Sequence, residues 1–144
     1  MTYTHSIAVP LSWEDAVQGT REALAAQGFG ILTEIDVRST FTTKLGAEAG
    51  DAVGDYVILG ACNPTLASKA LAAEPSLGAL LPCNVIVRRS VDAQVTTIEA
   101  IDPLTMLELS DSSAVREVAQ DAAARLRYAL TNLSELGTAT RPSS

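Results

Sequence analysis

The C-terminal quarter of the chain constrains the fold most strongly. Val115, Val118, Ala122, Leu126, Ala129, Leu133 and Leu136 recur at intervals of three and four, which puts one apolar stripe along a single long helix. Ser110, Asp111, Ser112 and Ser113 precede it as capping residues, and the pattern predicts about 20–24 helical residues. Such a stripe needs a flat apolar partner, so the upstream segments must supply a sheet.

They do so by period. Tyr3, His5, Ile7 and Val9 alternate with Thr4, Ser6 and Ala8, the spacing of a half-buried strand that Pro10 ends. Ser12 with Asp15 forms a Ser-x-x-Asp capping box, and Trp13, Ala16, Val17, Thr20 and Leu24 give the following helix its sheet-facing side. Gly28 suits the left-handed position past its end. A second strand follows, with Phe29, Ile31, Thr33, Ile35 and Val37 alternating with Gly30, Leu32, Glu34 and Asp36; then Val37, Phe41 and Leu45 space out a short helix closed by Gly46. Residues 47–54 are small and acidic and are expected to form a loop. The continuous apolar run Tyr56-Val57-Ile58-Leu59-Gly60-Ala61 is expected to be a central strand covered on both faces.

Asn63-Pro64 starts a helix sharply, because Asn accepts from orphan amides and Pro fits the first helical position. Leu66, Ala67, Ala70 and Leu71 form its buried stripe, Glu74-Pro75 ends it, and Leu77, Leu80 and Leu81 make an apolar plug before Pro82. Residues 85–89 and 94–101 then form a hairpin across 90–93, and Asp102-Pro103 caps a turn or short helix through Leu107. The order is β-α-β-α-β-α-β-β-α. This is a single α+β domain over residues 1–137, with helices packed on a mainly antiparallel sheet and a flexible tail over 138–144.

Composition narrows the function by exclusion. With 144 residues, 47% hydrophobic and only 4% aromatic, the chain is long enough for a real core, and aliphatic side chains must fill it. The net charge of −7 argues against nucleic acid, whose binding draws on clustered Lys and Arg. No apolar run reaches the roughly 18 residues of a membrane span, and the first six residues lack the features of a secretory signal. Two cysteines make no disulfide framework and stay reduced in a cytoplasmic setting, the expected location. There is no Gly-x-x-x-x-Gly-Lys, His-Glu-x-x-His or Gly-x-Ser-x-Gly motif, so no cofactor is expected.

The remaining chemistry centres on Cys62 and Cys83. Cys62 ends the third strand just before a helix N-terminus, where unpaired amides favour a thiolate. Cys83 opens the fourth strand. If those strands are antiparallel neighbours, both thiols meet at one sheet margin, with Asn63 and Asn84 offering hydrogen bonds at the same place. Two readings stand: a thiol pair for redox or sulfur transfer, or two small buried hydrophobes. No metal site is expected, since two cysteines 21 residues apart and the lone His5 lack metal-ligand spacing; His5 reads as a half-buried residue at the sheet margin. Glu34 reads as solvent-facing, with Asp36 and Asp102 as caps rather than acid–base groups. Arg88, Arg89, Arg116, Arg125 and Arg127 read as rim charges, and Ala119, Ala122, Ala123 and Ala129 as surfaces of close approach.

The segment Tyr56-Val57-Ile58-Leu59-Gly60-Ala61-Cys62-Asn63-Pro64, with Leu66-Ala67, Ala70-Leu71, Gly78 and Leu81-Pro82-Cys83-Asn84-Val85, resembles the signature of the domain-of-unknown-function 302 family. Gly28-Phe29-Gly30, Glu34-Ile35-Asp36-Val37, Lys44-Leu45-Gly46 and Ala100-Ile101-Asp102-Pro103 fit the same pattern, so the likeness covers nearly the whole chain. It departs in a longer loop over 47–55 and in Thr42-Thr43, where a more basic helix face is common. The resemblance implies a small intracellular α+β domain, usually a homodimer, with no settled activity. Motifs and resemblance together give the expectation of a cytoplasmic homodimeric binding or interaction module. Its partner is a small molecule or a protein, and its pocket lies at Cys62, Asn63, Cys83 and Asn84. The alternative is a thiol-dependent redox or sulfur-transfer protein in which Cys62 reacts and Cys83 resolves. The lack of a base beside either cysteine weighs against an enzyme. A third reading is a domain that stabilises a larger assembly and has no small-molecule chemistry.

Overall fold

Strand alternation and capping chemistry set the element order of the computed structural model, which describes residues 3–139. The strands are β1 (Thr4–Val9), β2 (Gly30–Asp36), β3 (Asp55–Cys62), β4 (Cys83–Arg89) and β5 (Thr96–Ile101). The helices are α1 (Trp13–Ala26), α2 (Val37–Leu45), α3 (Ala47–Val53), α4 (Pro64–Ala73) and α5 (Ser113–Ala139), with short 3₁₀ segments at Pro75–Leu80 and Pro103–Glu108. The strands form one sheet in the order β1-β5-β4-β3-β2, and every pairing is antiparallel. The α+β architecture matches the expectation from the sequence. The centre of the sheet, however, is β4, and β3 lies one strand in from the edge.

The caps are those written in the sequence. Ser12 Oγ accepts from Asp15 N at 3.1 Å, Asp36 Oδ1 from Ser39 N at 2.9 Å, and Asp102 Oδ1 from Leu104 N at 3.0 Å. Each satisfies an amide that the first turn of a helix leaves unpaired. Gly28 takes φ +87°, the left-handed conformation that ends α1 at little steric cost.

Pairing register decides which side chains share a face. Val57 opposes Val87, Leu59 opposes Val85, Ala61 opposes Cys83, and Val85 and Val87 oppose Ala100 and Ile98. All of these are buried, and they pack with Ala16 and Leu24 of α1 and Leu126, Ala129, Leu130 and Leu133 of α5. The long helix thus lays its apolar stripe on the sheet as its spacing requires. Its alanines Ala119, Ala122, Ala123 and Ala129 are all buried. Trp13 Nε1 donates to Val87 O at 2.9 Å, and Thr96 Oγ1 donates to Leu11 O at 2.7 Å, so the β1–α1 connection is tied to β4 and β5.

The opposite face of the sheet has a different character. Ile35, Ile58 and Ile86 lie in one cross-strand row. Ile35 is 48% exposed, and Ile58 and Ile86 are half-buried. The apolar run of β3 is therefore buried at Val57, Leu59 and Ala61 on one face and only half-buried at Tyr56 and Ile58 on the other. Leu32 falls at an irregularity in the β2–β3 register and is also exposed; such an extra residue bends an edge strand.

Three boundaries differ from the sequence reading. Residues 47–53 form α3 rather than a loop. Gly50 packs against Thr42 of α2, and Arg38 bridges Asp51 and Asp55 at 2.9 Å each, so contacts remote in sequence hold a helix of weak intrinsic preference. Strand β5 begins at Thr96, after a turn closed by Ala93 N donating to Ser90 O. Helix α5 runs for 27 residues, through the first two positions of the expected tail. The side chain of Leu136 and residues 140–144 lie outside the described residues.

Leu59→Ala removes a fully buried side chain from the middle of this core and is expected to cost about 2–5 kcal/mol. Leu32→Ala, at an exposed position, is expected to change stability by less than about 0.5 kcal/mol. Urea unfolding of the two variants beside the parent chain measures both.

Candidate functional site: a cavity shared by two thiols

The β3–β4 register brings together residues that are far apart along the chain. Ala61 opposes Cys83 and Gly60 opposes Asn84, so Cys62 and Cys83 sit at the same end of adjoining strands. Both line one cavity of about 40 Å³. A water needs roughly 10–15 Å³ on this measure and an engineered cavity that admits benzene is about 150 Å³, so the space suits a few atoms. Most of its wall is apolar and includes Leu66 and Ala70 of α4, Leu77 and Met106 of the 3₁₀ segments, and Val118 and Ala122 of α5.

The cavity lies where two cores meet imperfectly. Phe29, Ala61 and Cys83 belong to the cluster beneath the sheet, whereas Ala70, Leu77 and Met106 belong to a second cluster between α4, the 3₁₀ segments and α5. Its wall draws on both. Ser110 Oγ donates to Glu74 Oε1 at 2.8 Å and ties the end of α4 to the start of α5 across the second cluster.

Asn63 also lines the cavity and caps α4, its Oδ1 accepting from Leu66 N at 3.2 Å, with Pro64 in the first turn. A Cβ on Gly28 would come within 2.9 Å of Asn63 Nδ2, so a glycine is needed there for both conformation and space. Of the four nominated residues, Cys62, Asn63 and Cys83 thus converge. Asn84 does not line the cavity; it is exposed on the open face of the sheet, opposite Gly60.

The two sulfurs differ in environment. Cys62 is half-buried and Cys83 is buried, and neither is in a disulfide. Burial, with a smaller contribution from neighbouring Cys62, pushes the Cys83 thiol up from 9.0 to about 11. Desolvation disfavours the thiolate, so Cys83 is a neutral thiol at physiological pH.

The other sequence candidates lie elsewhere. Glu34 pairs with Arg21 at 2.7 Å near solvent, Asp36 and Asp102 act as caps, and His5 is half-buried on β1 opposite Ala100. Arg88 pairs with Glu99 at 2.8 Å and Arg125 with Asp121 at 2.7 Å, while Arg89 donates to Leu11 O at 3.0 Å. Among the described residues, no three His, Cys, Asp or Glu side chains gather as a metal site, and no helix is long and apolar enough to cross a membrane. Met106, Val118 and Ala122 were not marked as site residues by any motif. Their spacing announces only core, and only the packing of α5 over α4 brings them to the thiols.

Comparison with known proteins places the fold. The family described as domain of unknown function DUF302 matches residues 5–133. No curated protein matches. The crystal structure of an uncharacterized conserved DUF302 protein from Bacillus stearothermophilus is similar, with a TM-score of 0.80 and 24% identity over 92% of this chain and 99% of that one. At that identity the likeness concerns the fold.

Two outcomes follow from the unequal thiols. Brief alkylation of the native protein at pH 8, read by peptide mass spectrometry, is expected to label Cys62 and to reach Cys83 only after denaturation. The linkage to stability has a definite sign. The folded Cys83 pKa lies above the 9.0 of the unfolded chain, so its stabilisation is complete below pH 9 and is lost as pH rises towards 11. The loss is about 2 kcal/mol between pH 8 and pH 11, at about 1.4 kcal/mol per unit and with the folded thiol half titrated at the upper end. Unfolding the parent chain and Cys83→Ala at pH 8 and pH 11 isolates it, the variant lacking this share of the decline.

Proposed function

This chain belongs to the domain of unknown function DUF302 family, and we propose that it is a homodimeric binding module holding a ligand of a few atoms between Cys62, Asn63 and Cys83. The observation that carries this reading is the cavity itself. It is apolar, lies on the seam between two cores, and is bordered by a half-buried thiol and a capping amide. Binding sites are typically apolar hollows with few polar groups to fix orientation. The free space beside the thiols suits a small soft or apolar group. Cytoplasmic residence fits this reading, because a reducing compartment keeps both thiols free.

The dimer half of the proposal rests on the open face of the sheet. The row Ile35, Ile58 and Ile86 is only partly covered, and apolar side chains grouped on one face mark an interaction surface. A second copy set face to face gives each row an identical partner, as a two-fold interface requires. Asn84 then lies at the interface rather than in the pocket.

A second reading is favoured by the shared cavity: a thiol-dependent redox or sulfur-transfer protein. One cysteine is accessible and a second thiol lies beside it, so Cys62 is the thiol placed to exchange.

Light scattering is expected to give twice the 15.0 kDa chain mass, and Ile86→Glu to shift the protein to single chains with its circular dichroism unchanged. A parent chain that is monomeric at micromolar concentration contradicts the dimer. For the pocket, methanethiol is a suitable two-heavy-atom probe. Saturable shifts are expected in the methyl resonances of Leu77, Met106 and Val118, and their loss in the cavity-filling Ala122→Leu. Absence of any saturable shift contradicts the pocket.

A further inference from the structure

Resting on the second reading and naming its substrate class, we propose that Cys62 accepts a single sulfane sulfur atom from a low-molecular-weight hydropersulfide and holds it as a persulfide inside the cavity it shares with Cys83. Three observations converge. Cys62 is the half-buried thiol at the end of β3, whereas Cys83 is buried on the core face, so Cys62 is the one an incoming donor can meet. The hollow beside Cys62 has about 40 Å³ of free space, enough for an extension of the side chain by one atom. Its wall carries no charged side chain. A buried phosphate or carboxylate there would lack partners and be costly, whereas a terminal sulfur held protonated is polarizable and bonds weakly to hydrogen donors, so an apolar wall suits it. Asn63 is the one polar side chain other than the thiols in that wall, and its carbonyl oxygen is taken by Leu66 N.

The transfer balances without an external oxidant. The Cys62 thiolate attacks the outer sulfur of the donor R–S–SH. A sulfur–sulfur bond forms to Cys62, the donor's own sulfur–sulfur bond breaks, and the donor departs as a thiolate that takes up the proton released by Cys62. The net change is Cys62–SH plus R–S–SH giving Cys62–S–SH plus R–SH. Delivery is the same step in reverse, with an acceptor thiolate attacking the terminal sulfur. The competing fate is attack by Cys83 on the inner sulfur, which would form a disulfide and expel hydrosulfide. Burial keeps Cys83 protonated, with its pKa at about 11, and a thiol is a far weaker nucleophile than a thiolate, so the cargo persists.

The test treats the fully reduced chain with glutathione hydropersulfide without oxygen, removes the excess, and reads intact and peptide masses. Iodoacetamide labelling of untreated protein runs in parallel. The proposal expects a mass gain of one sulfur per chain on the Cys62 peptide, complete loss of that gain in Cys62→Ser and its retention in Cys83→Ser. It also expects release of the sulfur to cyanide, as thiocyanate, at least tenfold slower from the native protein than from the urea-unfolded one. Labelling of Cys62 by iodoacetamide with no sulfur gain overturns the sulfur cargo and leaves the thiol reading standing. Conversion to a Cys62–Cys83 disulfide overturns the carrier in favour of redox chemistry. Release equally fast from native and unfolded chains overturns the sheltered site. No reaction of Cys62 with either reagent overturns both the cargo and the thiol reading.

Discussion

The pairing of β3 with β4 is the constraint on which the rest depends. Its register sets Ala61 against Cys83, and because side chains alternate along a strand, a slip of one residue would turn Cys83 outward and Asn84 inward. The same register places Val57, Leu59, Val85 and Val87 on the face that α1 and α5 cover. Burial of these side chains and convergence of the two sulfurs are therefore one structural fact. The hydrophobic effect that fixes the register fixes the site as well.

The second determinant is an imperfection. Two apolar clusters, one beneath the sheet and one between α4, α5 and the 3₁₀ segments, leave a small unfilled seam. Larger residues than Ala61, Ala70 and Ala122 would narrow the seam. With those alanines in its wall, the cavity keeps an atom-sized space next to a half-buried thiol.

Much of this was legible in the sequence, for identifiable reasons. The strand alternation in β1 and the three-and-four spacing of α5 are enforced by burial on one side, so they appear directly as period. Asn63, Asp36 and Asp102 were readable as caps because the chemistry of a helix start is local. Residues 47–53 misled because Gly50, Asp51 and Val53 are weak helix formers that offset the alanines in so short a segment; contacts from Thr42 and Arg38 decide the helix. The adjacency of cysteine and asparagine in both motifs misled in another way. In β4 the period of two sends Cys83 inward and Asn84 outward, whereas Asn63 lies past the end of β3 and turns back as a cap. Met106 and Val118 carry no signal beyond apolarity, since their place in the wall depends on how α5 crosses α4.

The central claim is that both sulfurs border a dry, apolar space at the seam of the two cores. Diffraction from crystals held under xenon tests it most directly, because xenon settles in apolar cavities that water leaves empty. The account predicts anomalous density in contact with Cys62, Cys83, Leu77 and Met106. Ordered water hydrogen-bonded in that space, or xenon absent there while occupying other sites in the molecule, would contradict it.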